Sequence, residues 1–313
     1  MKRRIILLLL LLLPVLLAGC QEEKTVGVCF RQVDAYATPL LENSLSEALE
    51  KAGYAVETAD AANDQAKQLS VVRQFIEAEA DLLIIEPVMT AEAGEIVRLA
   101  KEANTPVIFL NYQPEAQVLS SWDKLCYIGC DRTKLAEAQA ALVARLQDGG
   151  DLNGDGSTAY IAIAGSEGHL DAESWAAACD EALAGEQLAL DFGDWSRQNG
   201  QALCAKRLAQ FGKDIEVILC NTDELALGAL EAVKDGGRTN GKDVYLVGIG
   251  GDRQALFLIK SGDLTGTVCP DPMAMTQAVL SAAESLLAGK QPQQVILTEF
   301  TAVTLENVDQ FLQ

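Results

Sequence analysis

The chain has a single histidine, His169, in 313 residues. Catalytic zinc sites usually draw on several imidazoles, so histidine-rich metal catalysis is excluded. No serine or cysteine stands in the Gly-flanked strand–turn–helix setting that exposes a hydrolytic nucleophile. Positive charge is scarce as well: 24 Lys and Arg stand against 45 Asp and Glu, a formal net charge of −21. A surface that acidic disfavours nucleic acid and anionic membrane as partners. A disulfide framework is also missing. Beside Cys20 there are Cys29, Cys126, Cys130, Cys179, Cys204, Cys220 and Cys269, an odd set in a long chain. Most lie inside apolar patterns such as Val-Ile-Leu-Cys220, as buried thiols do, with Cys126 and Cys130 left as a possible pair.

The one long apolar run is at the N-terminus. Met1-Lys-Arg-Arg4 is basic, Ile5 to Leu17 is apolar, and Leu17-Ala18-Gly19-Cys20 follows. The run is short for a spanning helix. Small residues ending in cysteine after such a core form a lipobox, so residues 1–19 are expected to be a lipoprotein signal peptide. A lipid on Cys20 would tether the chain to a membrane face without spanning it.

The remaining length suits two domains. Short apolar runs alternate with amphipathic stretches: strands at Val26–Phe30, Tyr54–Thr58, Asp81–Ile85 and Pro106–Leu110, with helices at Pro39–Ala52, Asp64–Glu79 and Ala91–Ala103 between them. After a break with a short strand near Leu125–Ile128, the alternation resumes from Thr133 to Ala288. Two final short strands lie near Val295 and Phe300. Unbroken apolar runs such as Leu82-Leu-Ile-Ile85 suit strands buried on both faces. The expected fold is therefore α/β, with two doubly wound parallel sheets in series and a cleft between them. Ligands of open parallel sheets bind outside the carboxyl ends of strands. The residues just past those ends include Asn111, His169, Asp171, Trp195, Thr222 and Asp252. Carboxylates, amides and aromatic rings of this kind suit a polyhydroxylated solute.

Asp151-x-Asn153-x-Asp155-Gly156 is the first half of a calcium loop, with ligands at alternate positions, a glycine for the sharp turn and the Ser157 carbonyl next. The twelfth position is Ala162, and a strand follows, so a bidentate carboxylate must come from elsewhere. A plain Asx turn is the alternative. His169 and Asp171 could be an acid–base pair, or Asp171 a helix cap. Gly248-x-Gly250-Gly251 reads as a tight strand–helix turn and only weakly as a dinucleotide fingerprint.

Taken together, Asp151 to Gly156, Gly168-His-Leu-Asp-Ala-Glu173, Pro106 to Asn111, Ile215 to Asp223 and Leu264 to Val268 resemble the periplasmic sugar-binding proteins of the ribose/galactose type. The likeness is greatest to the calcium-containing galactose/glucose-binding branch. It implies two domains joined by a three-stranded hinge: residues 20–129 with 271–297, and residues 130–270 with 298–313. It implies a monomer that binds a monosaccharide or sugar-like solute by hinge closure and presents it to the permease of an ABC importer. A chemoreceptor or sensor kinase is the other partner it allows. An extracellular hydrolase with a structural calcium ion is the reading from another class, and no enzyme activity is expected.

Residue by residue, the resemblance assigns Asp34 to a sugar hydroxyl, Tyr36 and Trp195 to the two faces of the ring, and Asn111, His169 and Asp171 to polar contacts. Glu216 becomes the distant bidentate ligand of Ca2+. Departures fall at Trp175, where the family has Arg, and at Thr222, Gly250 and Pro270, where it has polar side chains. Asp252 stands near the lost carboxylate. Ala159 replaces a calcium-ligating Gln. These changes predict a wall more apolar on one side, and a ligand other than plain glucose.

Overall fold

The structure, a computed structural model, describes residues 23–32 and 38–312. Cys20, Asp34 and Tyr36 lie outside them. The first sheet is built from β1 (Thr25–Phe30), β2 (Ala55–Asp60), β3 (Leu82–Ile85), β4 (Val107–Leu110) and β5 (Leu125–Cys130). Between them run α1 (Thr38–Lys51), α2 (Gln65–Glu77), α3 (Ala93–Ala103) and the short α4 (Ala116–Leu119). The second sheet holds β6 (Thr158–Ser166), β7 (Gly185–Gly193), β8 (Val217–Cys220), β9 (Tyr245–Ile249) and β10 (Gly266–Pro270). Its helices are α5 (Leu135–Ala144), α6 (Leu170–Ala182), α7 (Arg197–Phe211), α8 (Asp223–Asp235) and α9 (Arg253–Ser261). The chain then forms α10 (Pro272–Leu287), β11 (Val295–Thr298) and β12 (Phe300–Thr304).

The strand orders are β11-β5-β4-β3-β1-β2 and β12-β10-β9-β8-β6-β7, six strands each. All pairings are parallel except β10 with β12. Each sheet reverses its winding beside its first strand, between β1 and β3 and between β6 and β8. Parallel strands need helical crossovers, and these cover both faces. The expected α/β class with two doubly wound sheets is therefore the observed one. Apolar residues on the two faces of the first sheet form two clusters, one with α1 and α10, the other with α2 and α3. The second sheet repeats this with α8 and α9 on one face and α5 and α6 on the other.

Local chemistry sets the helix ends. Asp64 accepts hydrogen bonds from the N–H groups of Ala66 and Lys67 at the start of α2, and Asp271 caps α10 ahead of Pro272. Asn104 at φ 61° ends α3, and Gly262 at φ 82° ends α9.

The chain passes between the sheets three times: after β5, after β10, and between β11 and β12. These passages touch. Asp271 N–H donates to Glu299 O at 3.2 Å, and Cys130 Sγ reaches Glu299 O at 3.5 Å and Thr298 Oγ1 at 3.3 Å. All seven cysteines of the described chain are free and buried, so Cys126 and Cys130, neighbours along β5, form no disulfide. Burial pushes the thiols up, to about 12 for Cys29, Cys126, Cys179 and Cys204. Among the described residues, no helix is long and apolar enough to cross a membrane.

Candidate ligand-binding groove

A groove of about 460 Å³ runs between the carboxyl ends of the two sheets. From the first sheet come Arg31 after β1, Val88 to Ala91 after β3, and Tyr112 after β4. From the other side come Arg132 after β5, His169 and Asp171 after β6, and Trp195 after β7. Winding reversal is what opens such a crevice, because the helices on either side of the switch run away from each other.

Trp195 is the groove's large ring. Its backbone sits at φ 68°, a conformation that side chains other than Gly rarely adopt. Such a conformation costs of order 1–3 kcal/mol and persists only where the surroundings enforce it. Gly165 near the end of β6 explains part of the fit, since a Cβ there would overlap the indole. The His169 ring meets Trp195 edge-on, with centroids 5.2 Å apart and planes at 79°. Asp171 accepts from Arg132 Nε at 3.0 Å, and each of these side chains is 48 % exposed.

His169 and Asp171 do not bond to each other, so the acid–base pairing considered from the sequence is absent. Nor is Asp171 a cap: His169 holds the N-cap position of α6, with no side-chain capping bond, and Asp171 lies in the first turn.

Beneath the other wall, Glu86 is 6 % exposed. It accepts from Asn111 Nδ2 at 2.7 Å and from Arg31 N–H at 3.1 Å. Burial raises its pKa, and those two hydrogen bonds pull it back. Asn111 itself sits at φ 58°, with its Oδ1 buried and without a partner. A buried acceptor left open is costly unless something donates to it. It adjoins Tyr112, whose ring lies 4.8 Å under the Arg31 guanidinium.

Three candidates lie elsewhere. Trp175 is 2 % exposed in the second sheet's core, and its Nε1 donates to Gln139 Oε1 at 2.8 Å. Gln139 in turn bridges the carbonyls of Cys220, Val247 and Gly248. The indole satisfies its one donor inside the core. Thr222 caps α8 by accepting from Leu225 N–H at 3.2 Å. Asp252 caps α9 by accepting from Gln254 and Ala255. Neither of these two lines the groove, and both spend their side-chain oxygen on a helix end. Gly250 and Gly251 make the β9–α9 turn at φ 143° and 79°, as the tight-turn reading expects. Trp175, expected on the second wall, is withdrawn into the core, and Arg132 brings a guanidinium to Asp171 there.

Arg31, Tyr112 and Arg132 line the groove without any sequence motif to announce them, whereas Asp223, just past the end of β8, is among the residues expected there but is buried behind it. Asp223 is 0 % exposed. It accepts from Thr267 Oγ1 at 2.6 Å and from Asp252 N–H at 2.7 Å. Burial pushes its pKa up to about 6, against the pull of those hydrogen bonds.

The calcium-like loop lies at the opposite, amino end of β6. Asp151 accepts from the N–H groups of Gly154, Asp155 and Gly156, and Asn153 and Asp155 each accept from the N–H two residues on. Glu216, just before β8, reaches across. Its Oε1 accepts from Asn153 N–H and its Oε2 from Ala159 N–H, both at 2.8 Å. Glu216 is 1 % exposed, and no basic side chain pairs with it among the described residues. Hard oxygen donors around an unneutralised buried carboxylate fit a hard cation. Among the described residues, however, no three His, Cys, Asp or Glu side chains are gathered closely enough to enclose an ion. The carboxylates close on the loop's own N–H groups instead.

Comparison with known proteins follows this geometry. The sequence profile of the periplasmic binding protein domain matches residues 28–291. The D-galactose/methyl-galactoside binding periplasmic protein MglB of Haemophilus influenzae is 30 % identical, covering 93 % of this chain and 92 % of its own. The ribose import binding protein RbsB of Bacillus subtilis is 27 % identical, over 89 % of this chain and 87 % of its own. Among solved structures, a Bacillus halodurans ABC transporter solute binding protein with bound myo-inositol superposes with a TM-score of 0.68. It is 25 % identical and covers 94 % of this chain and 99 % of its own.

Proposed function

The chain belongs to the periplasmic binding protein family of the ribose/galactose type, and from that premise we propose that it is an extracytoplasmic receptor that captures a sugar-class solute. The observation that carries this reading is the groove, lined from both sheets at the carboxyl ends of their strands by an indole, an imidazole, a tyrosine and an Asp–Arg pair. The Trp195 face takes an apolar side of a ring. Asp171 and Arg132 together offer an acceptor and donors to neighbouring hydroxyls. Asn111 Oδ1, buried and open, accepts one more. Asp34 and Tyr36 would complete the first wall. The three adjacent passages between the sheets act as a hinge, so that closing brings the walls together and sheds water from the solute. The closed form then docks on the permease of an ABC importer, and lipid on Cys20 keeps the receptor at the membrane.

Among the described residues no serine or cysteine lines the groove, and relatives named as binding proteins support a role in binding rather than turnover. The loop would hold calcium with Asp151, Asn153, Asp155, the Ser157 carbonyl and Glu216. The ion would neutralise the buried carboxylate and stiffen the start of β6. Relatives whose names specify galactose and ribose, and a neighbour that holds myo-inositol, support a polyhydroxylated ligand. A thermal-shift panel of pentoses, hexoses, polyols and sugar acids tests the reading. At least one should raise the melting temperature of the wild type and not of Asp171→Asn. Flat melts across the whole panel would defeat it.

A further inference from the structure

Asn111 is held at every polar atom but one. Its N–H donates to Ile128 O at 3.0 Å, and its carbonyl accepts from Tyr127 Oη at 3.1 Å. Its Nδ2 donates to Glu86 Oε1 at 2.7 Å, while Oδ1, buried, has no partner among the described residues. Tyr112, the next residue, and Arg31, joined to Asn111 through Glu86, both line the groove. Glu86 is itself anchored. Its Oε2 accepts from Arg31 N–H at 3.1 Å, its own N–H donates to Cys29 O at 2.9 Å, and its carbonyl accepts from Gln68 Nε2 at 2.8 Å. Gln68 is 0 % exposed, and its Oε1 accepts from Val88 N–H at 3.0 Å. Glu86 thus ties the ends of β1, β3 and β4 together.

We propose that Glu86 is a positioning residue: it sets the polarity of the Asn111 amide and so decides which solute group is accepted there. This rests on the receptor reading above. A side-chain amide can present either its donor or its acceptor end, whereas an ionised carboxylate only accepts. Nδ2 must therefore face Glu86, and Oδ1 is left for the solute. An open buried acceptor is satisfied only by a donor. The solute must bring a hydroxyl or an N–H to this position, and an ether, a keto oxygen or a fluorine is refused. Glu86→Gln should reverse that rule. The Arg31 backbone N–H cannot turn, so it claims the new amide oxygen. The new amide nitrogen then donates to Asn111 Oδ1, and Asn111 presents Nδ2 to the solute. Every protein atom stays paired, and the same position now favours an acceptor.

The test is titration calorimetry with the tightest binder of the panel above and its monodeoxy and monodeoxyfluoro analogues, on wild type, Asn111→Leu and Glu86→Gln. Fluorine keeps a weak acceptor and loses the donor. At one hydroxyl of the parent, wild type should bind the fluoro and deoxy analogues equally, each about tenfold more weakly than the parent. Asn111→Leu should mark that hydroxyl by removing the loss there alone. In Glu86→Gln the fluoro analogue at the marked position should outbind the deoxy one by at least about threefold, with the other positions unmoved. A fluoro-to-deoxy ratio unchanged at that position, or a uniform weakening of every analogue as a merely structural role would give, overturns the inference and leaves the receptor reading intact. Should either variant fail to fold, a crystal structure of wild type with the same sugar decides. A sugar hydroxyl about 3 Å from Oδ1, with Glu86 still on Nδ2, is expected. A solute that does not reach the amide, or that displaces Glu86 from it, overturns the inference. A panel in which nothing binds overturns both readings.

Discussion

Glu216→Gln preserves volume and shape and removes one charge from a closed site. In the wild type both carboxylate oxygens accept backbone N–H groups, Asn153 from the loop and Ala159 from β6, each at 2.8 Å. A glutamine can accept only one of them, and its own NH2 then faces the other N–H. A hydrogen bond to a charged group contributes about 1.5–3 kcal/mol net, and an orphaned buried N–H costs about 1–3 kcal/mol. The substitution should therefore cost about 2–4 kcal/mol. In a domain of this size that is about 5–15 °C in melting temperature. Calcium held by the loop, as proposed, would add a separate effect: at a hundred times its dissociation constant a bound ion stabilises by about 2.7 kcal/mol. Melts followed by circular dichroism, each in excess calcium and in EDTA, separate the two. The wild type should fall by several degrees in EDTA, while Glu216→Gln should melt low in both. A wild type indifferent to EDTA would remove the ion and leave only the hydrogen-bonding role. A variant as stable as wild type would refute the whole account of the loop.

Other expectations follow from the same residues. Trp195→Ala removes the groove's indole and should weaken solute binding by about 10–100-fold, or about 1.4–2.8 kcal/mol, the scale of one large apolar side chain's burial. Unchanged affinity in calorimetry would show that the ring is not a contact. Asp223, held at about 6 against an ordinary 3.8, binds a proton more tightly folded than unfolded. Its contribution is therefore greatest at low pH and is lost as pH rises through about 4 to 6, by at most about 3 kcal/mol. Asp223→Asn should erase that component when denaturant melts of the two proteins are compared across pH, and a parallel pH profile would contradict it. The seven buried thiols should resist a thiol-specific reagent in the native state and all react in guanidinium. Fast native labelling of any of them would show that burial fails there.

Much of the fold was legible because strands buried on both faces cannot hide. Leu82-Leu-Ile-Ile85 and Val217-Ile-Leu-Cys220 are fully buried in the centres of their sheets, as their unbroken apolar runs implied. The groove was legible in part, because ligand sites of parallel sheets lie past strand ends and His169, Asp171 and Trp195 stand there. What failed depends on direction and on distant contact. Trp175 lies one turn beyond Asp171 along α6, yet the turn carries it inward onto Gln139, 36 residues away in sequence. Arg132 shows no motif, since its meaning comes from Asp171, 39 residues on. Thr222 and Asp252 look like ligand groups for the same reason they make good caps: a short oxygen-bearing side chain at a strand–helix corner. Asp223 sits next to such a cap and is buried where Thr267 of β10, Gly248 of β9 and the Asp252 N–H close around it.

Native mass spectrometry of the purified protein, followed by release and identification of any retained solute, bears most directly on the claim that the groove is a sugar-class receptor site. One noncovalent polyhydroxylated solute per chain, lost from Asp171→Asn and from Trp195→Ala, is the predicted result. A retained solute of unrelated chemistry, or a sugar-class solute held equally by both variants, would contradict it.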